Sequence, residues 1–243
     1  MVDILRDRVI SAVRQHLGDD SNKSGDVLYN GWDTLRPSNG LYIMGFNPGG
    51  DPTQIETSVV ESLEKLNDNH CSYKDECWGK SCPKDCRNKE HFGIKPHQKR
   101  VKHLAKVFGY EVEEVFAANA IFIRSKTQGH LQKNPDLFKK CWLIHQLFLS
   151  IVKPRVILCL GNGWVRSSFA LLIKELEIEP NQVRRYGHVK AFSCAIAVSD
   201  RETINSHVIG VRHPSRFFDP IEDLRPYLQE NPDVMAGKRW SEV

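Results

Sequence analysis

The sequence of 243 residues lacks a long hydrophobic run. Its longest apolar stretch, CWLIHQLFLSIV at residues 141–152, contains a His and a Gln and is too short to span a bilayer. The first eighteen residues, MVDILRDRVISAVRQHLG, mix charged with apolar positions. They predict an amphipathic helix, because a signal peptide needs an uninterrupted apolar segment. We therefore expect no membrane association and a cytoplasmic location.

The sequence also lacks a polar or Gly/Ser-rich linker, an internal repeat and a low-complexity segment. A hydrophobic content of 40% is enough to bury one sizeable core. We therefore expect one domain over residues 1–243, and a monomer. A strong charge imbalance is missing too, since the net charge is only +4. That value permits nucleic-acid binding through a local basic patch without requiring it.

Strand and helix patterns alternate along the chain. Strands are predicted by four apolar runs: LYIMGF (41–46), EVFAANAIFI (114–123), RVILCLG (155–161) and HVIGVRH (207–213). Helical spacing follows near 53–67, 97–108, 135–152 and 163–176, with Thr53 and Asn162 as N-caps. The pattern predicts an α/β fold, a single three-layer αβα domain around a mainly parallel four-stranded sheet. Ligands bind beyond the carboxyl ends of such strands.

Three motifs stand in order at the ends of these strands: GFNPG (45–49), NAIFI (119–123) and HPS (213–215). Together they resemble the motifs of the uracil-DNA glycosylase superfamily. The form Gly-x-Asn-Pro-Gly is similar to that of the mismatch-specific and single-strand-selective branches. The resemblance covers most of the chain, apart from a Cys-rich insertion at about 68–95. It implies a DNA glycosylase, an enzyme that hydrolyses the N-glycosidic bond of a flipped pyrimidine and leaves an abasic site.

The resemblance implies a role for three polar side chains. Glycosidic cleavage builds positive charge on the sugar and negative charge on the base, so fixed dipoles stabilise the transition state. Asn47 would hold a water beneath the sugar carbon, and slow turnover follows because an amide cannot accept a proton as a carboxylate does. Asn119 would read the pyrimidine edge, and His213 would bond O2 of the leaving base. The alternatives are an Asn that bonds backbone at a strand end and a His fixed by Pro214.

Gly45, Phe46 and Gly49 would line the implied base pocket. The strict uracil enzymes of the superfamily have a bulky aromatic where this chain has Gly49, so thymine or a larger 5-substituted pyrimidine is admissible here. Repair of deaminated or mismatched bases and attack on bulky modified cytosine of phage DNA both stay open. Alternatively, Gly49 and Gly50 only provide positive backbone dihedrals. Asp51, the nearest carboxylate, is more typical of a turn residue.

DNA is the expected partner. Ser215 and its backbone N–H are positioned to hold a phosphate, and Arg216 and Phe217 follow where the superfamily inserts a wedge into the base stack. Basic stretches at 95–103, 125–127 and 184–188 are either backbone contacts or solvated faces. The residues we select from them are Lys99, Arg100 and Lys126. Because no Lys occupies a motif position suited to a Schiff base, we expect hydrolysis without lyase chemistry.

The seven cysteines predict free thiols or metal ligands, since the number is odd and no export signal is present. Cys141, Cys159 and Cys194 lie alone in apolar segments, where a thiol behaves as a small hydrophobe. The other four have the spacing C-x5-C-x4-C-x3-C: Cys71, Cys77, Cys82 and Cys86. They predict a structural zinc, with an iron–sulfur cluster or free thiols as alternatives. Four protein ligands leave no open position, so catalysis would need no cofactor.

Two other classes of function stay open. The chain could be a non-catalytic nucleic-acid-binding module that keeps the fold. The segment CLGNGWVRSSF (159–169) also resembles a dinucleotide fingerprint, although Arg166 stands where the third Gly is expected. This second alternative, a nucleotide-cofactor-binding protein, has the weaker support.

Overall fold

The fold is built around six strands: β1 (Leu41–Gly45), β2 (Phe116–Asn119), β3 (Val156–Leu160), β4 (Arg184–Tyr186), β5 (Val189–Ser199) and β6 (Glu202–Val211). They form one sheet in the order β2-β1-β3-β6-β5-β4. These elements come from a computed structural model, which describes residues 2–37, 40–53, 57–78, 88–125, 136–215 and 220–235.

The parallel part of the sheet agrees with the prediction. β1 pairs with β2 and β3, and β3 pairs with β6, all in parallel. Every residue of β1, β2 and β3 is buried. Strands covered on both faces carry continuous apolar runs, which is why the sequence pattern finds them. The carboxyl ends of these four strands lie at one edge of the sheet.

The predicted number of four strands is wrong, because β4 and β5 extend the sheet on the far side of β6. Both are antiparallel to their neighbours, and β6 begins at Glu202 rather than at residue 207. In the second half of β5 exposed and buried residues alternate, with Ile196 buried between Ala195 and Ala197. A strand with one solvated face lacks the continuous apolar run on which the prediction depended.

Seven α-helices lie in the described part of the chain: α1 (Val2–Leu17), α2 (Val59–Glu64), α3 (Ser72–Asp75), α4 (Pro96–Val107), α5 (Asp136–Val152), α6 (Ser168–Glu175) and α7 (Pro220–Glu230). The N-terminal amphipathic helix is confirmed as α1. α2 and α6 start later than predicted, because Ser58 and Ser167 are their N-caps instead of Thr53 and Asn162. Ser58 and Glu61 bond each other's backbone N–H groups, a capping box that fixes the start of α2.

Helices cover both faces of the sheet. On one face α1, α2, α5 and α6 pack over Tyr42, Met44 and Phe116 in one apolar cluster. On the other face α4 and α7 pack over Ile43 and Leu158 in a second cluster. These two cores agree with the predicted αβα layering. Among the described helices none has the length and apolar character needed to cross a membrane.

The segment at residues 25–29 runs along the outer edge of β2. Tyr29 N–H donates to the Ala117 carbonyl, and Asn119 N–H donates to the Val27 carbonyl. Asp26 N–H donates in the same way to Phe122, just beyond the end of β2. This pairing brings Asp26 and Tyr29, distant in sequence from the three motifs, to the carboxyl edge of the sheet.

Candidate active site

The first two motifs meet where β1 and β2 end. Gly45 is in register with Asn119 across the parallel pair. A Cβ atom built on Gly45 would lie 3.1 Å from Asn119 Oδ1 and 3.1 Å from Cε2 of Tyr29. Contacts of that length are tighter than side chains normally tolerate, so a larger residue at 45 would displace Asn119 or Tyr29. The glycine that opens the first motif therefore has a steric reason.

Asn119 is fully buried, and both ends of its amide are bonded within the chain. The Tyr29 hydroxyl donates to Oδ1 over 2.6 Å, and Nδ2 donates to the Asp26 carbonyl over 3.2 Å. Burial raises the pKa of Tyr29, so its hydroxyl stays protonated and fixes Oδ1 as the acceptor. The bond to the Asp26 carbonyl is what the alternative interpretation expects, in which Asn119 is a structural residue that bonds the backbone at a strand end.

Asn47 lies half-buried in the turn after β1. Its Nδ2 donates to the Pro48 carbonyl over 3.0 Å and to Ser125 Oγ over 3.3 Å. These two bonds orient the amide, and within the described chain its Oδ1 accepts no hydrogen bond. The amide oxygen is the atom that the water-positioning role requires.

The two glycines of this turn, Gly49 and Gly50, differ in backbone conformation. Gly50 has a φ of 99°, the left-handed conformation that favours glycine, whereas Gly49 has no such φ. A Cβ atom on Gly49 would meet no atom within 4 Å, so the open space at this position is real. The Arg124 guanidinium donates to the Gly49 carbonyl. Asp51 Oδ1 accepts from the backbone N–H and the hydroxyl of Thr53, which confirms Asp51 as a turn residue.

His213 follows β6, and Ser215 of the same motif determines which ring nitrogen carries the proton. Ser215 N–H donates to His213 Nδ1 over 3.2 Å, so a neutral ring carries its proton on Nε2. The Ser215 hydroxyl lies 3.1 Å from Nδ1 of His97, whose ring centroid is 5.3 Å from that of His213. Burial, with smaller effects from His213 and Arg100, lowers the pKa of His97 to about 3. His97 is therefore neutral beside Ser215.

The predicted DNA contacts differ in their surroundings. Arg100 donates to the Pro214 carbonyl and so holds the HPS turn against α4. Lys99, one residue earlier on the helix, is exposed. The other three predicted contacts lie outside the described residues: Lys126, Arg216 and Phe217. For these three the prediction stays untested.

A row of aromatic rings joins the site of Asn119 to that of His213. The ring of Tyr29 lies 5.1 Å from Tyr73, Tyr73 lies 5.5 Å from Trp78, and Trp78 lies 5.5 Å from His97, measured between centroids. His97 in turn contacts the ring of His213. Tyr73 and Trp78 belong to the Cys-rich insertion, whose first residues therefore pack into the protein between Tyr29 and His97.

A polar cavity of about 360 Å³ is lined in part by Gly25, Asp26 and Leu28, from the segment that runs along β2. Five ionisable residues line it together with Ser72: Asp26, Lys65, His70, Glu76 and Arg124. The cavity adjoins the motif residues, because Asp26 bonds Asn119 through its carbonyl and Arg124 bonds the carbonyl of Gly49. None of these five residues was predicted from the sequence to line the candidate active site. They come from separate segments, and only their packing brings them together.

The ionisable groups in this cavity differ in how far hydrogen bonds and neighbouring charges stabilise their charged forms. Burial, followed by the charge of Glu76, raises the pKa of Asp26 to about 7. Burial would also raise the pKa of Glu76, but hydrogen bonds from His70, Trp78 and Ser72 hold it below its ordinary value. The bond to Glu76 raises the pKa of His70. The cavity therefore contains one stabilised ion pair beside a carboxyl group that exchanges a proton near neutral pH.

The cysteines are only partly described. Cys71 is a free thiol in the apolar core of the α4 face, and burial raises its pKa to about 12. Cys77 is disulfide-bonded, so the prediction of a free thiol or metal ligand is wrong for this residue as the structure has it, because a disulfide sulfur is not a thiolate. Cys82 and Cys86 lie outside the described residues. Among the residues that are described, no three metal-binding side chains form a group. The structural zinc, or the alternative iron–sulfur cluster, stays a prediction that metal analysis of the reduced protein tests.

The isolated cysteines behave as predicted. Cys141 and Cys159 are free and buried, and burial raises the pKa of each to about 12. Cys194 is free and partly buried, with its pKa raised to about 11 for the same reason.

Comparison with known proteins adds nothing to these observations. No protein-family model matches the chain, and no curated protein matches it.

Proposed function

We propose that the protein is a monofunctional DNA glycosylase. It hydrolyses the N-glycosidic bond of a flipped, deaminated or modified pyrimidine and leaves an abasic site. The observation that carries this proposal is the placement of the three motifs at the carboxyl edge of the parallel sheet: Asn119 ends β2, Asn47 follows the adjacent β1, and His213 follows β6, with β3 between β1 and β6. Ligands bind at this edge in open α/β sheets. The resemblance of the motifs supplies the reaction class, and the geometry supports it.

The proposed reaction uses dipoles rather than a strong base. As the bond between the sugar and the base breaks, its electron pair moves to the pyrimidine, and His213 Nε2–H donates to O2 where negative charge develops. Asn47 Oδ1 holds the water whose oxygen bonds to the sugar carbon. The amide cannot take the water's proton, so that proton passes to solvent and the departing base is protonated from solvent. Turnover is slow for this reason.

The proposed substrate range is broad because position 49 has no side chain. The space beside Gly49 admits a substituent on ring carbon five of the pyrimidine. Arg124 connects this position to the polar cavity, which offers hydrogen-bonding groups to a polar substituent. Uracil, mismatched thymine and bulky modified cytosine are all within the proposal. Repair and defence against phage DNA are therefore both compatible with it.

Release of free base from defined strands tests this function. Oligonucleotides with one uracil, one mismatched thymine or one bulky 5-modified cytosine are incubated with excess protein, as duplexes and as single strands, and abasic sites are cleaved with alkali. We expect cleavage of at least one substrate by the wild type and strong loss with His213→Ala. His16→Ala, which replaces a partly exposed His on α1 outside the motifs and the basic stretches, is the matched control. No cleavage of any substrate by the wild type contradicts the proposal.

One observation favours a second candidate function, a non-catalytic nucleic-acid-binding module. Both atoms of the Asn119 amide are already bonded to Tyr29 and Asp26, which is what a purely structural Asn would do. The same assay separates the two functions. Binding of the oligonucleotides without any release of base favours the module, whereas abasic sites favour the enzyme.

A further inference from the structure

An exposed tryptophan stands on the loop between β3 and α6. The side chain of Trp164 is 43% exposed, and the neighbouring Val165 is 74% exposed. This loop borders the candidate active site, because a Cβ atom on Gly161 would lie 3.9 Å from Cδ2 of His213. Trp164 and Val165 together expose apolar surface beside the site, and contiguous exposed apolar surface, unlike a single exposed residue, commonly marks an interaction site.

Two cations hold this tryptophan against the β4–β5 hairpin. Lys190 Nζ lies 4.2 Å from the centroid of the Trp164 ring, and Arg185 Cζ lies 5.6 Å from it. Both distances are within the range of cation–π attraction. Lys190 also donates to the Asn162 carbonyl over 2.7 Å, which joins the hairpin to the same loop. The position of Trp164 is therefore set by the hairpin and not only by its own loop.

No carboxylate among the described residues neutralises the two cations. Arg185 and Lys190 are cross-strand partners, and like charges that face each other across a sheet are destabilising. In the described part of the chain neither forms a salt bridge with a carboxylate. Burial, together with the charge of Arg185, lowers the pKa of Lys190, which agrees with an unfavourable concentration of positive charge. An anion bound here would relieve that repulsion.

We infer that Trp164, Arg185 and Lys190 form a contact surface for a polynucleotide strand that passes the candidate active site. A phosphate of the strand lies against Arg185 and Lys190, and a base stacks on the exposed part of Trp164. Cations beside an aromatic platform are how proteins bind strands without reading their sequence. The inference rests on the proposed function for its ligand, and it adds where the strand continues beyond the flipped base.

Binding to a strand that cannot be processed tests the surface apart from the chemistry. Labelled oligodeoxyadenylate contains no pyrimidine, and its dissociation constant is measured by fluorescence anisotropy. We expect Trp164→Ala to weaken binding by about 5- to 100-fold, the range for loss of one stacked base. Leu143→Ala is the control, because Leu143 on α5 is similarly exposed at 47%. Its dissociation constant stays within about 2-fold of the wild type, below the effect of one stacked base.

Two variants of adjacent residues on β4 test the charged part of the surface. Arg185→Ala is expected to lower the slope of the logarithm of affinity against the logarithm of salt concentration by about one, as for one lost phosphate contact. Arg184→Ala leaves that slope unchanged, because alternate residues of a strand point to opposite faces. If Trp164→Ala and Arg185→Ala behave as their controls do, the inference is overturned. Equal competition by polyglutamate also overturns it, since the surface then binds any polyanion.

Failure of this inference and failure of the proposed function are distinguishable. Wild-type protein that binds oligodeoxyadenylate through Trp164 but releases no base from any pyrimidine strand keeps the surface and loses the glycosylase. Wild-type protein that releases base, with the binding of Trp164→Ala and Arg185→Ala unchanged, keeps the glycosylase and loses the surface.

Discussion

Replacement of Tyr29 by Phe removes one hydroxyl group from the centre of the candidate site. That hydroxyl donates to Asn119 Oδ1 over 2.6 Å, and Asn119 is completely buried. The ring itself stays packed, because its contacts with Tyr73 and Trp78 do not involve the hydroxyl. Tyr29→Phe therefore changes the orientation of the Asn119 amide without opening a large cavity.

The size of the effect follows from what is left behind. Without the Tyr29 hydroxyl, Oδ1 of the buried Asn119 loses its short donor, and an unsatisfied buried acceptor costs about 1–3 kcal/mol. For a chain of this length each kcal/mol lowers the melting temperature by about 2–4 °C. A decrease of about 2–12 °C is therefore expected. The amide is also free to turn over, and rotation exchanges donor and acceptor towards a bound base.

Two measurements on one control variant separate these consequences. Tyr42→Phe removes another buried hydroxyl, which lies 2.7 Å from Nδ1 of His145 in the core. Both variants should lower the free energy of unfolding in urea, but only Tyr29→Phe should reduce the ratio of single-turnover rates on uracil and cytosine strands. An unchanged unfolding free energy for Tyr29→Phe refutes the stabilising role of the bond. An unchanged rate ratio in an active variant refutes the role of Asn119 in reading the base.

Three further predictions concern the same region. His213→Ala should slow single-turnover base release by about 10²–10³-fold, the effect of one lost oxyanion donor, with DNA affinity nearly intact; an unchanged rate counts against the assignment. Gly49→Tyr should lower the rate on 5-substituted relative to unsubstituted pyrimidines by about 10- to 200-fold, with Gly49→Ala as control. That position has no positive φ, so an unaltered ratio in a folded variant means that Gly49 does not face the base. In the wild type the folded state keeps the Asp26 proton up to a pKa of about 7, so the free energy of unfolding falls as the pH rises from about 4 to 7. The fall is at most about 1.4 kcal/mol per pH unit. Asp26→Asn should remove this pH dependence. Urea unfolding at pH 5 and pH 8 checks this, and parallel changes in both proteins contradict it.

The parallel half of the sheet could be predicted because burial on both faces leaves a simple pattern in the sequence. β1, β2 and β3 contain no exposed residue, and the prediction found all three. The pattern of β5 is different, since one face of its second half is solvated and its residues include Ser193 and Cys194. Periodicity over a short window cannot separate such an edge region from an exposed loop.

Only those residues of the candidate site that belong to a sequence motif could be predicted. Asn47, Asn119 and His213 each follow or end a strand, and the resemblance of their motifs assigned roles to them. Tyr29 could not be found in that way, because its bond to Asn119 joins residues 90 positions apart. The carboxyl of Asp26 and its raised pKa depend likewise on burial by distant segments. Contacts of this kind are set by packing and leave no local periodicity.

The two outer strands of the sheet have a consequence for the behaviour of the protein at high concentration. An open strand edge can recruit a strand from another molecule and so start aggregation. β4 has only three residues, two of them the exposed Arg184 and Arg185, so it offers a short and positively charged edge that repels its own copy. The edge of β2 is already covered by residues 25–29. Along β4 and along residues 25–29 the sheet is therefore a poor template for growth, whereas the second half of β5, which extends beyond β4 and has no charged residue, is the part of the described border where recruitment of another strand is expected.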